Sequence, residues 1–251
     1  MSSSQRRVAV VTGASAGIGR ATAIALGHAG WSVVITARRK EQLDETASQI
    51  KSCHTVVADL THPTAVEQLF SEAVYAFERV DLLFNNAGLS SGASSLEELS
   101  VADFTQTINV NLIATFSCMK RCFMQMKSQV PQGGRIINNG SISAHTPRPG
   151  SAAYTASKHG ISGLTKQTGA LDGRKYNIAC GQIDIGNTAT DMAQRMTFGA
   201  PQPDGSLKVE PLFDVQHVAS SIVHMASLPL DVNILFQTIM ATKMPSMVGR
   251  G

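Results

Sequence analysis

Four apolar residues in a row, Val8-Ala9-Val10-Val11, run directly into Thr12-Gly13-Ala14-Ser15-Ala16-Gly17-Ile18-Gly19-Arg20, and this junction narrows the fold more than any other part of the chain. A short unbroken apolar run fits a strand buried on both faces, as in a parallel sheet with helices on either side. The glycines let the chain turn sharply and bring main-chain amides close to a pyrophosphate. A helix starting near Gly17 aims its positive end at the same anion. The stretch reads as a dinucleotide cradle in which Gly13, Ser15, Gly17, Ile18 and Gly19 meet the ligand. Its spacing, Gly-x-x-x-Gly-x-Gly, differs from the commoner Gly-x-Gly-x-x-Gly, so the reading leans on position after a first strand. By itself, a glycine-rich turn is also an ordinary tight connection.

The alternation that begins there continues. Ser32–Thr36, Thr55–Ala58, Asp81–Phe84, Arg135–Asn139, Asn177–Cys180 and Ile234–Ala241 read as further strands. Helical patterns start near Pro63, run from Asp103 to Lys127, start again at Ser151, where the serine is a plausible cap, and cover Val215–Ser227. No repeat, linker or low-complexity tract divides the series. The expected architecture is α/β, a single-domain Rossmann-type doubly wound parallel sheet of about seven strands spanning residues 1–251. Residues 181–211, with Met192, Met196, Phe198, Pro201 and Pro203, read as an irregular substrate loop or lid, and 242–251 as a tail.

Composition closes several other routes. Net charge is +3 with no basic cluster longer than Arg38-Arg39-Lys40, and aromatics make up 5%, so nucleic acid is not an expected partner. The cysteines Cys53, Cys118, Cys122 and Cys180 form no Cys-x-x-Cys pair and read as reduced thiols. The seven histidines offer no metal-ligand spacing, so no metal is expected. The N-terminal Met-Ser-Ser-Ser-Gln-Arg-Arg leads into too few apolar residues for a signal-peptide core, and no apolar run is long enough to cross a bilayer. A cytoplasmic protein without a membrane partner is the expectation. Hydrophobic residues at 43% against charged residues at 16% suit a sheet covered on both faces or an extensive subunit interface.

The candidate chemistry lies in Ser141–Lys158. Pro147, Pro149 and Gly150 make a loop, and the following helix carries Tyr154 and Lys158 one turn apart on the same face. A phenol in water loses its proton only near pH ~10, so a tyrosine that exchanges protons near neutrality needs a cation beside its phenolate. Lys158 supplies one. A lone Tyr-x-x-x-Lys is also a common exposed helix pair, and the rest of the chain decides between the two. At the end of the second strand no Asp or Glu stands between Gly13 and Lys40, while Arg38 and Arg39 suit a 2′-phosphate, which favours NADP over NAD. The same residues also read as the solvated start of the next helix. Asp59-Leu60 close the third strand, Asn86-Ala87-Gly88 let backbone pass close to a flat ligand or a neighbouring strand, and Asn109 and Asn111 interrupt an apolar helix face.

In order and interval these residues resemble the short-chain dehydrogenase/reductase family from Val8 to about Ala241. The features are Thr12-Gly13-x-x-x-Gly17-Ile18-Gly19, Asp59-Leu60, Asn86-Ala87-Gly88, Asn111, Ser141 and Tyr154-x-x-x-Lys158. The resemblance implies that Asp59 meets the adenine, that Asn86-Ala87-Gly88 steady the sheet beside the cofactor, and that Lys158 bonds the nicotinamide ribose. It also implies that Asn111, rather than Asn109, holds a water in a relay through Lys158 to Tyr154, with Ser141, rather than Ser143, as the serine. After the sixth strand the usual Pro-Gly is absent; Gly181 and Ile183 are its nearest counterparts, and the threonine that follows is Thr188 or Thr190. The Gly-Gly common after the last strand is replaced by Thr242-Lys243-Met244-Pro245, and Ala-Arg-Glu late in the Tyr154 helix by Ala170-Leu171-Asp172. That last change weakens a 3-oxoacyl reductase label. The implied activity is reversible hydride transfer between NADP(H) and a small carbonyl or secondary alcohol, with Asn111, Ser141, Tyr154 and Lys158 catalytic. The competing reading is a non-catalytic NAD(P)-sensing protein of the same fold; epimerases and dehydratases, which usually carry an added substrate domain, rank third. Family members commonly pair the helices equivalent to Asp103–Lys127 and Ser151–Gly169 across a two-fold axis, so a homodimer or homotetramer is expected.

Overall fold

The computed structural model describes residues 6–90, 92, 94–190, 199–202 and 204–244. Its first half runs β1 (Val8–Thr12), α1 (Gly17–His28), β2 (Ser32–Ala37), α2 (Lys40–Ala47), β3 (Cys53–Val57), α3 (Pro63–Phe77) and β4 (Leu82–Asn85). The second half runs α4 (Val101–Ile108), α5 (Ala114–Ser128), β5 (Gly134–Asn139), α6 (Ala152–Gln167), β6 (Ile178–Ile185), a hairpin of β7 (Ala200–Pro201) and β8 (Leu207–Lys208), α7 (Val215–Ser227) and β9 (Phe236–Ile239). The seven-stranded sheet has the order β3-β2-β1-β4-β5-β6-β9, with every pairing parallel. The order reverses between β1 and β4, so the connections leaving their carboxyl ends diverge and open a crevice, the usual ligand position of such sheets.

Alternation along β1 builds the two halves of the core. Val8 and Val10 face one side, with Phe70 and Leu69 of α3 and Cys118, Cys122 and Met126 of α5. Ala9 and Val11 face the other, with Leu26 of α1, Leu43 of α2 and Val218 and Ile222 of α7. Each fully buried Val, Leu, Ile or Phe contributes about 1.5–3 kcal/mol relative to exposure, so burial on both faces explains why these strands are runs rather than alternations.

Besides shifted strand ends and the β7-β8 hairpin inside the segment expected to be irregular, two departures from the sequence reading bear on the site. The Asp103–Lys127 helix carries a π-helical turn, Asn109–Ile113, between α4 and α5. The extra residue falls where the two asparagines broke the apolar pattern. The sixth strand continues to Ile185 instead of ending at Cys180, with all its residues buried. Gln182 and Asp184 look like loop residues in sequence, yet their polar atoms find internal partners, Ser162 and Thr165 for Gln182 and the Ser141 main-chain amide for Asp184. The substrate segment proposed for 181–211 thus begins only after Ile185. Met192, Met196, Phe198 and Pro203 of that segment, and the tail beyond Met244, lie outside the described residues.

Candidate active site

A cavity of about 530 Å³ runs along the carboxyl edge of the sheet, lined from the ends of β1 to β6. Its glycine turn has the conformation that the sequence requires. Gly13 (φ 67°) and Gly17 (φ 53°) occupy the left-handed region, and a Cβ on Gly13 would stand 2.9 Å from the Ala87 Cα. Gly19 does not line the cavity; it lets α1 close onto the turn, where a Cβ would meet the Gly13 carbonyl oxygen at 2.3 Å. Ala16 precedes α1 without a side-chain cap, and the first turn holds no acidic residue. Its first amides are therefore available to an anion.

Asn86 ties the turn to β4: its side-chain amide donates to the Thr12 and Gly13 carbonyls at 3.0 and 3.3 Å, and its oxygen accepts from Asn139 Nδ2 at 2.9 Å. The Thr12 hydroxyl accepts the main-chain N–H groups of Asn86 and Ala87, both at 2.9 Å. Ser15, Ile18, Arg38, Arg39, Asp59, Leu60, Ala87 and Gly88 all line the cavity with them. Arg39 donates to Ser15 Oγ at 3.2 Å. The Asp59 carboxyl is held below the usual carboxylate range by the Thr61 main-chain N–H and hydroxyl, assisted by the charge of Arg38.

Ser141, Tyr154 and Lys158 meet in the same cavity. Lys158 is buried, donates from Nζ to the Asn139 carbonyl at 2.7 Å, and lies 5.4 Å from the Tyr154 ring centroid. Ser141 starts a 3-10 turn, Ile142–Ala144, and its Oγ accepts the Ser143 main-chain N–H at 3.1 Å. With that lone pair engaged, the hydroxyl hydrogen remains to donate to a ligand. Ser143 lines the cavity as well. Ser151 does not cap α6; its hydroxyl donates to the Arg148 carbonyl at 2.7 Å and pairs with Thr155 Oγ1 at 3.0 Å. The loop behind Tyr154 is thereby folded on itself rather than opened into a cap.

Asn111 lies outside the cavity wall. Its amide donates to the Leu89 carbonyl at 2.9 Å and to Ser157 Oγ at 3.2 Å, while its oxygen accepts the Leu89 N–H at 2.8 Å. It clamps the segment after β4 to α6. Gly181 and Ile183 are not brought to the cavity either. Both lie inside β6, where a Cβ on Gly181 would come within 2.1 Å of the Ile234 carbonyl oxygen and where Ile183 is fully buried in the core. The strand runs farther than its polar residues suggest, so the cavity is met instead by Ile185, Gly186, Asn187, Thr188 and Thr190. Thr190 reaches the glycine turn, its Cγ2 lying 3.2 Å from where a Gly17 Cβ would stand.

The sequence reading missed a polar cluster at this wall. Arg148, between Pro147 and Pro149, donates to Asn187 Oδ1 at 2.8 Å and forms an ion pair with buried Glu210; Asn187 also donates to Glu210 at 2.7 Å, and Gln202 at 3.2 Å. Arg148 and Glu210 are 62 positions apart, and no local pattern links them. A third small core lies beneath, with Met244 and Ala241 packed around Ile142 of the Ser141 turn. Part of the sequence replacing the expected Gly-Gly therefore supports that turn.

Comparison with known proteins shows the family to which the chain belongs. The family description of short chain dehydrogenases matches residues 7–199. The chain belongs to the short-chain dehydrogenase/reductase family. It is an NAD(P)-dependent oxidoreductase with a Rossmann-like fold. It is 34% identical over 235 residues to the short chain dehydrogenase/reductase astE of Aspergillus oryzae, covering 89% of this chain and 88% of that one. It is likewise 34% identical over 195 residues to a 3-oxoacyl-[acyl-carrier-protein] reductase of Synechocystis sp., covering 76% and 77%. Among solved structures, a variant of the actinorhodin polyketide ketoreductase with NADPH superposes with a TM-score of 0.82 at 25% identity, over 96% of this chain and 98% of that one. Among the described residues no helix is long and apolar enough to cross a membrane.

Proposed function

We propose that the chain catalyses reversible hydride transfer between NADP(H) and a small ketone or secondary alcohol, with Tyr154 as the proton donor and acceptor. The observation that carries this reading is the placement of Ser141, Tyr154 and buried Lys158 on one cavity wall, the Lys158 ammonium lying 5.4 Å from the Tyr154 ring. The residues fit a dinucleotide, since the glycine turn leaves α1 uncapped and Gly13 and Gly17 supply the tight backbone. Gly13, Ser15, Gly17 and Ile18 would hold the pyrophosphate, Arg38 and Arg39 a 2′-phosphate, Asp59 and Leu60 the adenine side, and Thr188 and Thr190 the nicotinamide side. When bound, the nicotinamide supplies the hydride. Ser141 donates a hydrogen bond to the substrate oxygen, and Tyr154 gives that oxygen its proton as negative charge develops there. Lys158 stabilises the phenolate left behind. Asn111 acts from behind, holding Leu89 and α6 in register.

Retention of Ser141, Tyr154 and Lys158 together supports turnover over cofactor sensing. A 3-oxoacyl substrate stays one candidate within the ketone class, supported by the likeness to the Synechocystis reductase. We also assign a homo-oligomer, because Ile113, Phe116, Met124 and Leu171 are exposed beside a groove whose rim is formed by α5 and the end of α6. The test is an absorbance assay with NADPH or NADH against diacetyl, cyclohexanone, ethyl acetoacetate and acetoacetyl-CoA. Oxidation of NADPH by at least one ketone, faster than of NADH, is expected. Tight NADPH binding with no turnover of any of the four would favour the sensing reading.

A further inference from the structure

The serine turn is held from behind by a carboxylate that does not touch the cavity. Asp184 of β6 is 1% exposed, and its oxygens serve three donors. Oδ1 accepts the Ser141 main-chain N–H at 3.0 Å and Gln182 Nε2 at 2.7 Å, and Oδ2 lies 2.9 Å from His145 Nε2. A carboxylate only accepts, so the imidazole carries its hydrogen on Nε2. Ser141 begins the 3-10 turn and His145 ends it, so one carboxylate fastens both ends of the turn that aims the Ser141 hydroxyl.

Neighbouring residues are shaped to this contact. Gly140 leaves the approach open, since a Cβ there would stand 2.1 Å from Asp184 Oδ1. Gln182 joins the carboxylate to α6, donating to Ser162 Oγ at 2.9 Å and accepting from Thr165 Oγ1 at 3.1 Å. Ser162 in turn donates to the Lys158 carbonyl at 3.2 Å. A continuous hydrogen-bonded path therefore links the Ser141 amide to the helix that carries Tyr154 and Lys158. Burying a carboxylate is costly unless its lone pairs are satisfied. Apart from the Ser141 amide, the donors that satisfy it are the side chains of Gln182 and His145.

We propose that Asp184 and His145 are positioning residues for the reaction, fixing Ser141 relative to Tyr154 through the ends of its turn. This rests on the proposed role of Ser141. The distance between a hydrogen-bond donor and a reacting oxygen matters steeply: displacement by about 1 Å can cost on the order of a hundredfold in rate. The role adds to cofactor binding and proton transfer without joining either, since neither residue lines the cavity.

The test measures kcat on the fastest of the four ketones named above, the NADPH dissociation constant, and amide exchange of the peptide 140–147. The variants are Ser141→Ala, Asp184→Ala, Asp184→Asn and the Ser141→Ala, Asp184→Ala double. Asp184→Ala is expected to lower kcat by roughly ten- to a hundredfold, to leave NADPH affinity within about twofold because the contacts lie off the cavity, and to speed exchange in 140–147. Asp184→Asn keeps an oxygen for the Ser141 amide and restores most of the rate. In the Ser141→Ala background, Asp184→Ala costs nothing further, because the group it positions is gone. The same fractional loss in both backgrounds, or an unchanged kcat, overturns the proposal. If Asp184→Ala does not fold, His145→Ala decides, since that ring is 42% exposed: a loss recovered by His145→Gln supports the clamp, and wild-type kcat overturns it. A Ser141→Ala enzyme as fast as wild type refutes the serine's role itself, a failure separate from additivity.

Discussion

At the scale of single residues, the members of the candidate site were largely legible because a few side chains have little choice of environment. Glycines with positive φ, a lysine one helical turn from a tyrosine and paired arginines after β2 each name a requirement that another residue meets poorly. Lys158 combines two such requirements, a charge beside the phenol and a bond to the Asn139 carbonyl. Lys158→Ala should therefore weaken NADPH binding and slow turnover together; an unchanged dissociation constant, measured by fluorescence titration, would contradict its assignment on the ribose side. Arg38→Ala should weaken NADPH by roughly ten- to a hundredfold, the loss of one or two hydrogen bonds to a charged group, while NADH binding stays constant. Equal weakening of both nucleotides would remove the 2′-phosphate argument. What the sequence did not reveal at this scale are the residues defined by remote partners, Asp184 with Ser141 and Arg148 with Glu210, whose types are unremarkable until the sheet brings them together.

At the scale of elements, strands buried on both faces announced themselves, and polar residues inside buried elements misled. The sequence pattern ends β6 at Cys180, with Gln182 and Asp184 of loop-like type beyond it; the structure satisfies both internally and carries the strand to Ile185. The cavity is consequently lined by Ile185 and residues after it rather than by Gly181 and Ile183. In sequence Asn109 and Asn111 interrupt the apolar face of one long helix; in the structure they lie in a π turn in which Asn111 grips Leu89. Beyond β6, the Arg148 and Glu210 pair joins the loop before Tyr154 to the chain that leads into α7, with side chains only 14% and 4% exposed. Glu210→Ala removes a buried counter-charge from the Arg148 guanidinium at that wall. A cost of about 3 kcal/mol is expected, lowering the melting temperature by roughly 6–12 °C and raising KM for the ketone more than it lowers kcat. A melting curve superimposable on that of wild type would show that the pair does not hold the segment.

At the scale of the whole molecule, the doubly wound parallel sheet of about seven strands was legible in outline, since an alternating series with a glycine turn after its first strand leaves few topologies; the strand order and the cavity it frames were not, because both depend on which strand ends the folded sheet brings together. Surface reading was intermediate. The structure divides the apolar residues of Asp103–Lys127: Cys118, Met119 and Met126 are core, Phe123 packs edge-on against Tyr176 at 5.8 Å, and Ile113, Phe116 and Met124 stay exposed. Phe116→Glu is thus the sharper test of assembly than Phe123→Glu, which would damage packing within one chain. Light scattering should show an oligomer for wild type and a smaller species for Phe116→Glu; a wild-type monomer at micromolar concentration would refute the interface. The central claim is that the carboxyl edge gathers a glycine cradle and a Ser141, Tyr154, Lys158 proton-transfer site into one cavity that works as a unit. Its most direct test compares wild type with Tyr154→Phe in two readings on the same samples, NADPH binding by titration and ketone-dependent NADPH oxidation. Binding within about twofold, because the ring remains, together with a rate lower by about 10²- to 10⁴-fold, is the predicted result; a Tyr154→Phe protein that keeps more than about a tenth of the wild-type rate would contradict it.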